Sequence, residues 1–252
     1  MRQRPRGRHF AVTVVAAVSG IAIPSAALAP TVSVKARTFK GMPAVGALFS
    51  YSRGTGLGAH FCTASVVHSP NRDLVLTAAH CVSNVPAGRI AFVPGYRDGN
   101  TPYGIWLVTR VVVDKKWKTS ADPDDDFAFL VVTQHGGSPV EKVTGAEHLG
   151  IDQPARQMVR VTGYPDGAAA PIHCENVVRT FSPTQLVFDC GGFTDGTSGS
   201  PLVAHFSRST GLGAVMGVIG GYQQGGDTAA VSYAARFSAA LAALYAIAVS
   251  ES

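Results

Sequence analysis

The sequence predicts an all-β protein. Short runs rich in Val, Ile, Thr and Phe recur between clusters of Gly, Pro, Asn and Asp, and no long helical period interrupts them until the last twenty residues. With 46% hydrophobic and 15% charged residues over 252 positions, there is material for a core the size of one large domain or two packed subdomains. Many short strands without alternating helices point to antiparallel barrels or sandwiches rather than a βαβ fold.

The predicted strands are, in order, 45–49, 61–67, 74–77, 90–93, 105–113, 127–132, 157–162, 174–180, 186–190, 200–206 and 215–220. One helix is expected over 232–249, where Ala and Leu dominate and Phe237, Leu241 and Leu244 recur at helical spacing. Two similar stretches, Ser52 to Ala59 and Ser207 to Ala214, each lie between strand-like runs and read as hairpin loops. The G-x-G-x-G of the first would need a following helix to hold a phosphate, and a strand follows instead.

The N-terminus has another character. Arg2, Arg4, Arg6 and Arg8 precede an apolar run from Phe10 to Ile23, broken by Pro24 and followed by small residues to Ala29. This is the pattern of a secretory signal peptide, assigned to 1–29, with 30–44 a short N-terminal or pro-segment and 45–252 the functional domain. The apolar run is too short for a membrane span, so no stable membrane association is expected. Losing those four arginines takes the formal charge from +5 to +1, which removes the basic footprint that nucleic-acid binding requires.

Four cysteines, Cys62, Cys81, Cys174 and Cys190, fit two disulfides in an exported chain rather than a metal site. Three pairings are possible. The sequence-local one joins Cys62 to Cys81 and Cys174 to Cys190, closing loops worth about 3 kcal/mol each.

Three segments can carry chemistry. Thr194 to Pro201 is a Gly-rich turn running into an apolar strand, which can expose Ser198 as a nucleophile and aim backbone amides at an oxyanion. Leu76 to Cys81 ends a β-rich run with His80 beside a cysteine, where a cross-link would fix a general base. Asp122 to Asp126 enters an apolar strand, and Asp126, drawn partly inside, needs a partner such as an imidazole Nδ1–H. The spacing of Asp122, Asp124 and Asp126 also hints at calcium, but an EF-hand loop needs Gly where Phe127 stands, so no metal and no cofactor are expected.

Taken together, Thr77-Ala78-Ala79-His80-Cys81, Asp126-Phe127-Ala128-Phe129-Leu130 and Gly196-Thr197-Ser198-Gly199-Ser200-Pro201 resemble the three active-site blocks of the chymotrypsin-like (trypsin-like) serine peptidases, in that family's order. Val161 to Pro165 is similar to a turn frequent in bacterial members. The resemblance implies two six-stranded antiparallel β-barrels with a C-terminal helix. It makes His80 the general base, Asp126 its orienting partner, Ser198 the nucleophile, and the amides of Gly196 and Ser198 the oxyanion hole. It also implies a Cys62–Cys81 bridge next to the histidine and a Cys174–Cys190 bridge before the nucleophile loop. Substrate-pocket candidates are Gly192, Asp195, Ile219, Gly220 and Gly221.

Departures from the pattern are informative. Trypsin-type members carry Asp immediately before the nucleophile, paired with a freed Ile or Val amino terminus; here that position is Thr197, and Pro43 to Phe49 contains no Ile-Val-Gly-Gly-like start. The chain is more similar to the bacterial glutamyl-endopeptidase branch, although Ile219 lies near the place of that branch's pocket histidine. Gly192, six residues before the nucleophile, offers no acid for a strong Arg or Lys preference, while Asp195 keeps a weaker one open.

The expected function is that of a secreted, extracellular, monomeric serine endopeptidase acting on proteins or peptides through an acyl-enzyme. The rival reading is a catalytically inactive or latent binding or adhesion module on the same fold. An α/β-hydrolase is excluded by chain order, because only His205 follows Ser198 and no acid lies between them.

Overall fold

The computed structural model describes residues 34–252; the expected signal segment, 1–29, lies outside the described residues. A two-residue strand β1 (Arg37–Thr38) precedes six strands that close into a barrel: β2 (Val45–Ser52), β3 (Gly56–Val66), β4 (Leu74–Thr77), β5 (Ile90–Pro94), β6 (Trp106–Val113) and β7 (Ala128–Val132). Their spatial order is β2-β3-β4-β7-β6-β5, with β5 pairing back onto β2.

The second half is built from β8 (His148–Leu149), β9 (Gln157–Gly163), β10 (Ile172–Thr180), β11 (Gln185–Asp189), β12 (Pro201–Ser207), β13 (Leu212–Val218) and β14 (Val231–Ala235), in the order β14-β11-β10-β9-β12-β13-β8. The six longer strands form the expected antiparallel barrel. Its seam is narrow: an isolated Ile219–Ala234 bridge and the Gly220 amide donating to the Tyr233 carbonyl join β13 to β14. Three strands were not foreseen: β8, which pairs in parallel with β13, β1, which pairs with β10, and β14, whose residues were expected in the terminal helix.

Strand β7 shows why the sequence reads as unbroken apolar runs. Ala128, Leu130 and Val132 point into the first barrel with Leu48, Phe92 and Trp106. Phe129 and Val131 point the other way, into a layer shared with Val203 and Val215 of the second barrel and with Leu241 and Leu244 of the terminal helix. A strand buried on both faces has no polar face to show. The second barrel is filled by Val161, Leu186, Phe188, Leu202 and Met216 around the Cys174–Cys190 disulfide, and the Cys62–Cys81 disulfide lies in the first.

The helices are α1 (Ala79–Val82), α2 (Lys115–Ser120), α3 (Val140–Thr144) and α4 (Ala239–Ser250). None of the helices among the described residues is long and apolar enough to cross a membrane. The terminal helix is shorter than the expected 232–249. Residues 232–235 belong to β14, whose ladder with β11 takes their backbone groups, and Ser238 caps the helix by accepting from the Ala240 amide. Both repeated stretches form hairpin turns, between β2 and β3 and between β12 and β13.

Within the described part of the 30–44 segment, residues 34–38 pair with the second barrel. Ala36 and Gly191 are bonded through the Ala36 amide and the Gly191 carbonyl at 2.8 Å, and the Gly191 amide donates to the Val34 carbonyl at 2.8 Å.

One buried acid carries a stability consequence. Glu147 is fully buried between Val66 and the β12–β13 hairpin; Oε2 accepts from the Gly213 amide and Oε1 has no partner among the described residues. Burial pushes its carboxyl up to about 7, against 4.5 ordinarily. A carboxyl raised in the folded state favours folding fully below the ordinary value, and that contribution is lost as pH climbs through 7. The whole difference is worth about 3 kcal/mol. Glu147→Gln keeps the acceptor and removes the charge, so its melting temperature is expected to exceed that of the parent at pH 8 and to converge with it near pH 4. Thermal unfolding at the two pH values checks this; an equal offset at both would contradict it.

Candidate active site

The first barrel supplies two of the three expected triad residues. After β4 the chain turns into the single-turn helix α1, which is tied to β3 by the Cys62–Cys81 disulfide and presents His80. Asp126 ends the short 3₁₀ turn Pro123–Asp125 just before β7 and is fully buried. Its Oδ2 lies 2.8 Å from His80 Nδ1 and accepts from the Gly221 amide at 2.8 Å, while Oδ1 accepts from the His80 amide at 2.9 Å. Three donors thus converge on one dry carboxylate, which satisfies it and orients the imidazole.

The other aspartates of that run have separate duties. Asp122 caps the turn by accepting from the Asp124 amide, Asp124 accepts from Gln185 Nε2 at 2.7 Å, and buried Asp125 lies 3.5 Å from Lys116 Nζ. Desolvation, with the charge of Asp114 second, raises the Asp125 carboxyl. Among the described residues the one grouping with metal-like spacing is Cys62, His80 and Cys81, and its cysteines are joined to each other.

The second barrel supplies the loop of the expected nucleophile, between Cys190 and β12. Gly196 and Gly199 both have φ in the left-handed region, at 85° and 83°. A Cβ on Gly196 would stand 2.5 Å from the Asp166 amide, and one on Gly199 would stand 2.1 Å from the Thr63 carbonyl, so neither position admits a side chain. Ser198 lies between them, partly exposed. Its hydroxyl makes no hydrogen bond to His80 among the described residues, a contact that in unliganded sites is often long and tightens with substrate.

The loop amides are oriented by what holds their carbonyls. The Asp166 amide donates to the Asp195 carbonyl at 2.6 Å, and the Ser200 amide to the Thr197 carbonyl at 3.0 Å. Since N–H and C=O of a trans peptide point in opposite directions, the Gly196 and Ser198 N–H groups are turned away from those partners. Neither donates to another loop or turn carbonyl among the described residues. Two such amides can receive an oxyanion. Thr197 replaces the family's acid without any ion pair: its amide and its hydroxyl both donate to the Thr194 carbonyl, at 3.0 and 2.6 Å.

Beside Ser198 lies a cavity of about 240 Å³. Asp195 and Ile219 line it, with Phe193, Thr194, Gln224 and Asp227 among the others, none of which the sequence singled out. Gly192, Gly220 and Gly221, expected there, stand elsewhere. Gly192 packs against Ala36 and Ile172, a Cβ on Gly220 would be 2.8 Å from Asp126 Oδ2, and Gly221 gives that carboxylate its amide. Short loops around the pocket are set by tertiary packing, so offsets from Ser198 do not locate its walls.

A double barrel with these loops defines a chymotrypsin-type serine peptidase. The sequence profile of the trypsin-like peptidase domain matches residues 62–212, and the chain belongs to that family. It is a serine-type endopeptidase. Among solved structures it is similar to the protease Anisep from Arthrobacter nicotinovorans, with TM-score 0.72 and 22% identity over 85% of this chain and 99% of that one. A thermostable serine protease, AL20, from an extremophilic microorganism gives 0.69 and 26% identity over 83% and 98%. A Glu endopeptidase gives 0.65 and 17% identity over 87% and 98%. No curated protein matches the sequence.

Proposed function

We propose that this chain is a secreted serine endopeptidase that cleaves protein or peptide substrates through an acyl-enzyme formed on Ser198. His80 takes the hydroxyl proton and later returns one to the leaving amine; Asp126 holds the imidazole tautomer; the Gly196 and Ser198 amides receive the oxyanion. The observation that carries this reading is the fully buried Asp126 carboxylate, held by His80 Nδ1, the His80 amide and the Gly221 amide. A binding module would gain nothing from burying an acid against a histidine at this position.

Secretion is supported by the N-terminal segment and by two disulfides. The cavity beside Ser198 has two carboxylates, Asp195 and Asp227, and, among the described residues, no Lys, Arg or His in its lining, which disfavours a glutamate side chain at the cleaved bond and suits an uncharged or basic one.

The test is labelling of the folded protein with a serine-directed fluorophosphonate, followed by peptide mass spectrometry. One adduct on Ser198, lost in His80→Ala, is expected. An unlabelled protein with both disulfides intact would point to the binding module instead.

A further inference from the structure

Thr63, on β3 of the first barrel, is fully buried and meets the nucleophile loop of the second barrel twice. Its amide donates to the Ser198 carbonyl at 2.8 Å, and its Oγ1 donates to the Gly196 carbonyl at 3.0 Å. The same Oγ1 accepts from the Tyr164 amide at 2.9 Å, and the Thr63 carbonyl accepts from Thr77 Oγ1 at 2.8 Å. The carbonyls of residues 195 to 198 are therefore all held: the outer pair of these bonds comes from Asp166 and Thr63, the inner pair from Thr63 and Ser200. With every carbonyl fixed, the peptide planes that carry the Gly196 and Ser198 amides cannot rotate without breaking a buried bond.

We propose that Thr63 is a positioning residue for the oxyanion hole, its hydroxyl bridging the Tyr164 amide to the Gly196 carbonyl and so setting the loop before substrate arrives. This rests on the peptidase reading of Ser198. The bridge demands a group that accepts and donates at one atom, at a fully buried site. Serine and threonine meet that requirement; valine, of the same shape, meets neither half. In Thr63→Val the Tyr164 amide and the Gly196 carbonyl both lose their partner in a buried place; the Gly196–Thr197 peptide, which links the two planes that carry the Gly196 and Ser198 amides, loses its anchor, while the Asp195, Thr197 and Ser198 carbonyls keep theirs. Preorganisation of the amides, rather than substrate affinity, is what the change removes.

The test compares the parent, Thr63→Ser and Thr63→Val by two rates, inactivation by a fluorophosphonate and turnover of labelled casein, each well below the variant's own melting temperature. Thr63→Val is expected to be slower by about tenfold or more in both, with casein KM little changed and melting temperature lower. Thr63→Ser is expected to recover both rates to within about threefold of the parent. A folded Thr63→Val that reacts at parental rates, whatever its melting temperature, overturns the assignment and leaves Thr63 a structural residue. Should Thr63→Val not fold, Thr63→Ala is read by the same two rates against Thr63→Ser. A folded parent inert to the fluorophosphonate sinks the peptidase reading itself, and the role of Thr63 with it.

Discussion

Ser198→Ala is expected to lower kcat on a peptide substrate by about a million-fold while leaving the fold and KM nearly intact. The side chain being removed is small, partly exposed and without a hydrogen bond to His80 among the described residues, so its loss strands no buried partner. What disappears is the nucleophile, and with it both the proton that His80 takes and the oxygen that would carry the acyl group. A residual rate of about a thousand-fold or more over water should persist, because the Gly196 and Ser198 amides remain. Turnover by the purified variant, with mass spectrometry to exclude a parental contaminant, checks this; retention of even a tenth of the parental kcat would sink the assignment of Ser198.

Asp126→Asn should cost about ten-thousand-fold in kcat near neutral pH. The reason lies in the donor count. Oδ1 receives the His80 amide, and Oδ2 receives both His80 Nδ1 and the Gly221 amide, so each side of the carboxylate must accept. An asparagine has one oxygen. If its NH₂ faces the ring, Nδ1 must accept and the proton moves to Nε2, where the imidazole can no longer take one from Ser198. If the oxygen faces the ring, the NH₂ points at the His80 amide and a buried donor meets a donor. Either way α1 and its histidine are disturbed. A loss smaller than tenfold, with the disulfides intact, would show that Asp126 does not orient the base.

Much of the candidate site was visible in the linear chain because it depends on residue type at short range. A histidine next to a cysteine at a strand end, an acid at the mouth of an apolar strand, and a serine flanked by glycines are local patterns, and each sits in the element its surroundings predict. The strands followed from short apolar runs bounded by turn residues, as with β7 and the two repeated hairpins. The terminal helix was overextended because 231–235 are apolar and Ala-rich, and their pairing to β11 is a contact across nearly fifty residues that no local propensity reports.

Which other groups face the Asp126 carboxylate was decided by tertiary structure, since a hydrogen-bond partner such as Gly221 is remote in sequence. The same holds for the pocket: Asp227 reaches it, while Gly220 and Gly221 turn to the acid. Thr63 lies in an ordinary run of strand residues and carries no mark of its contact with Gly196, 133 positions away. By itself the sequence determined that the protein is an all-β chain with a His, an Asp and a Ser in the order and settings of a trypsin-like peptidase. Only the packing of one barrel on the other decided what holds those groups, because orientation of a buried polar group is set by the partners that desolvation obliges it to find.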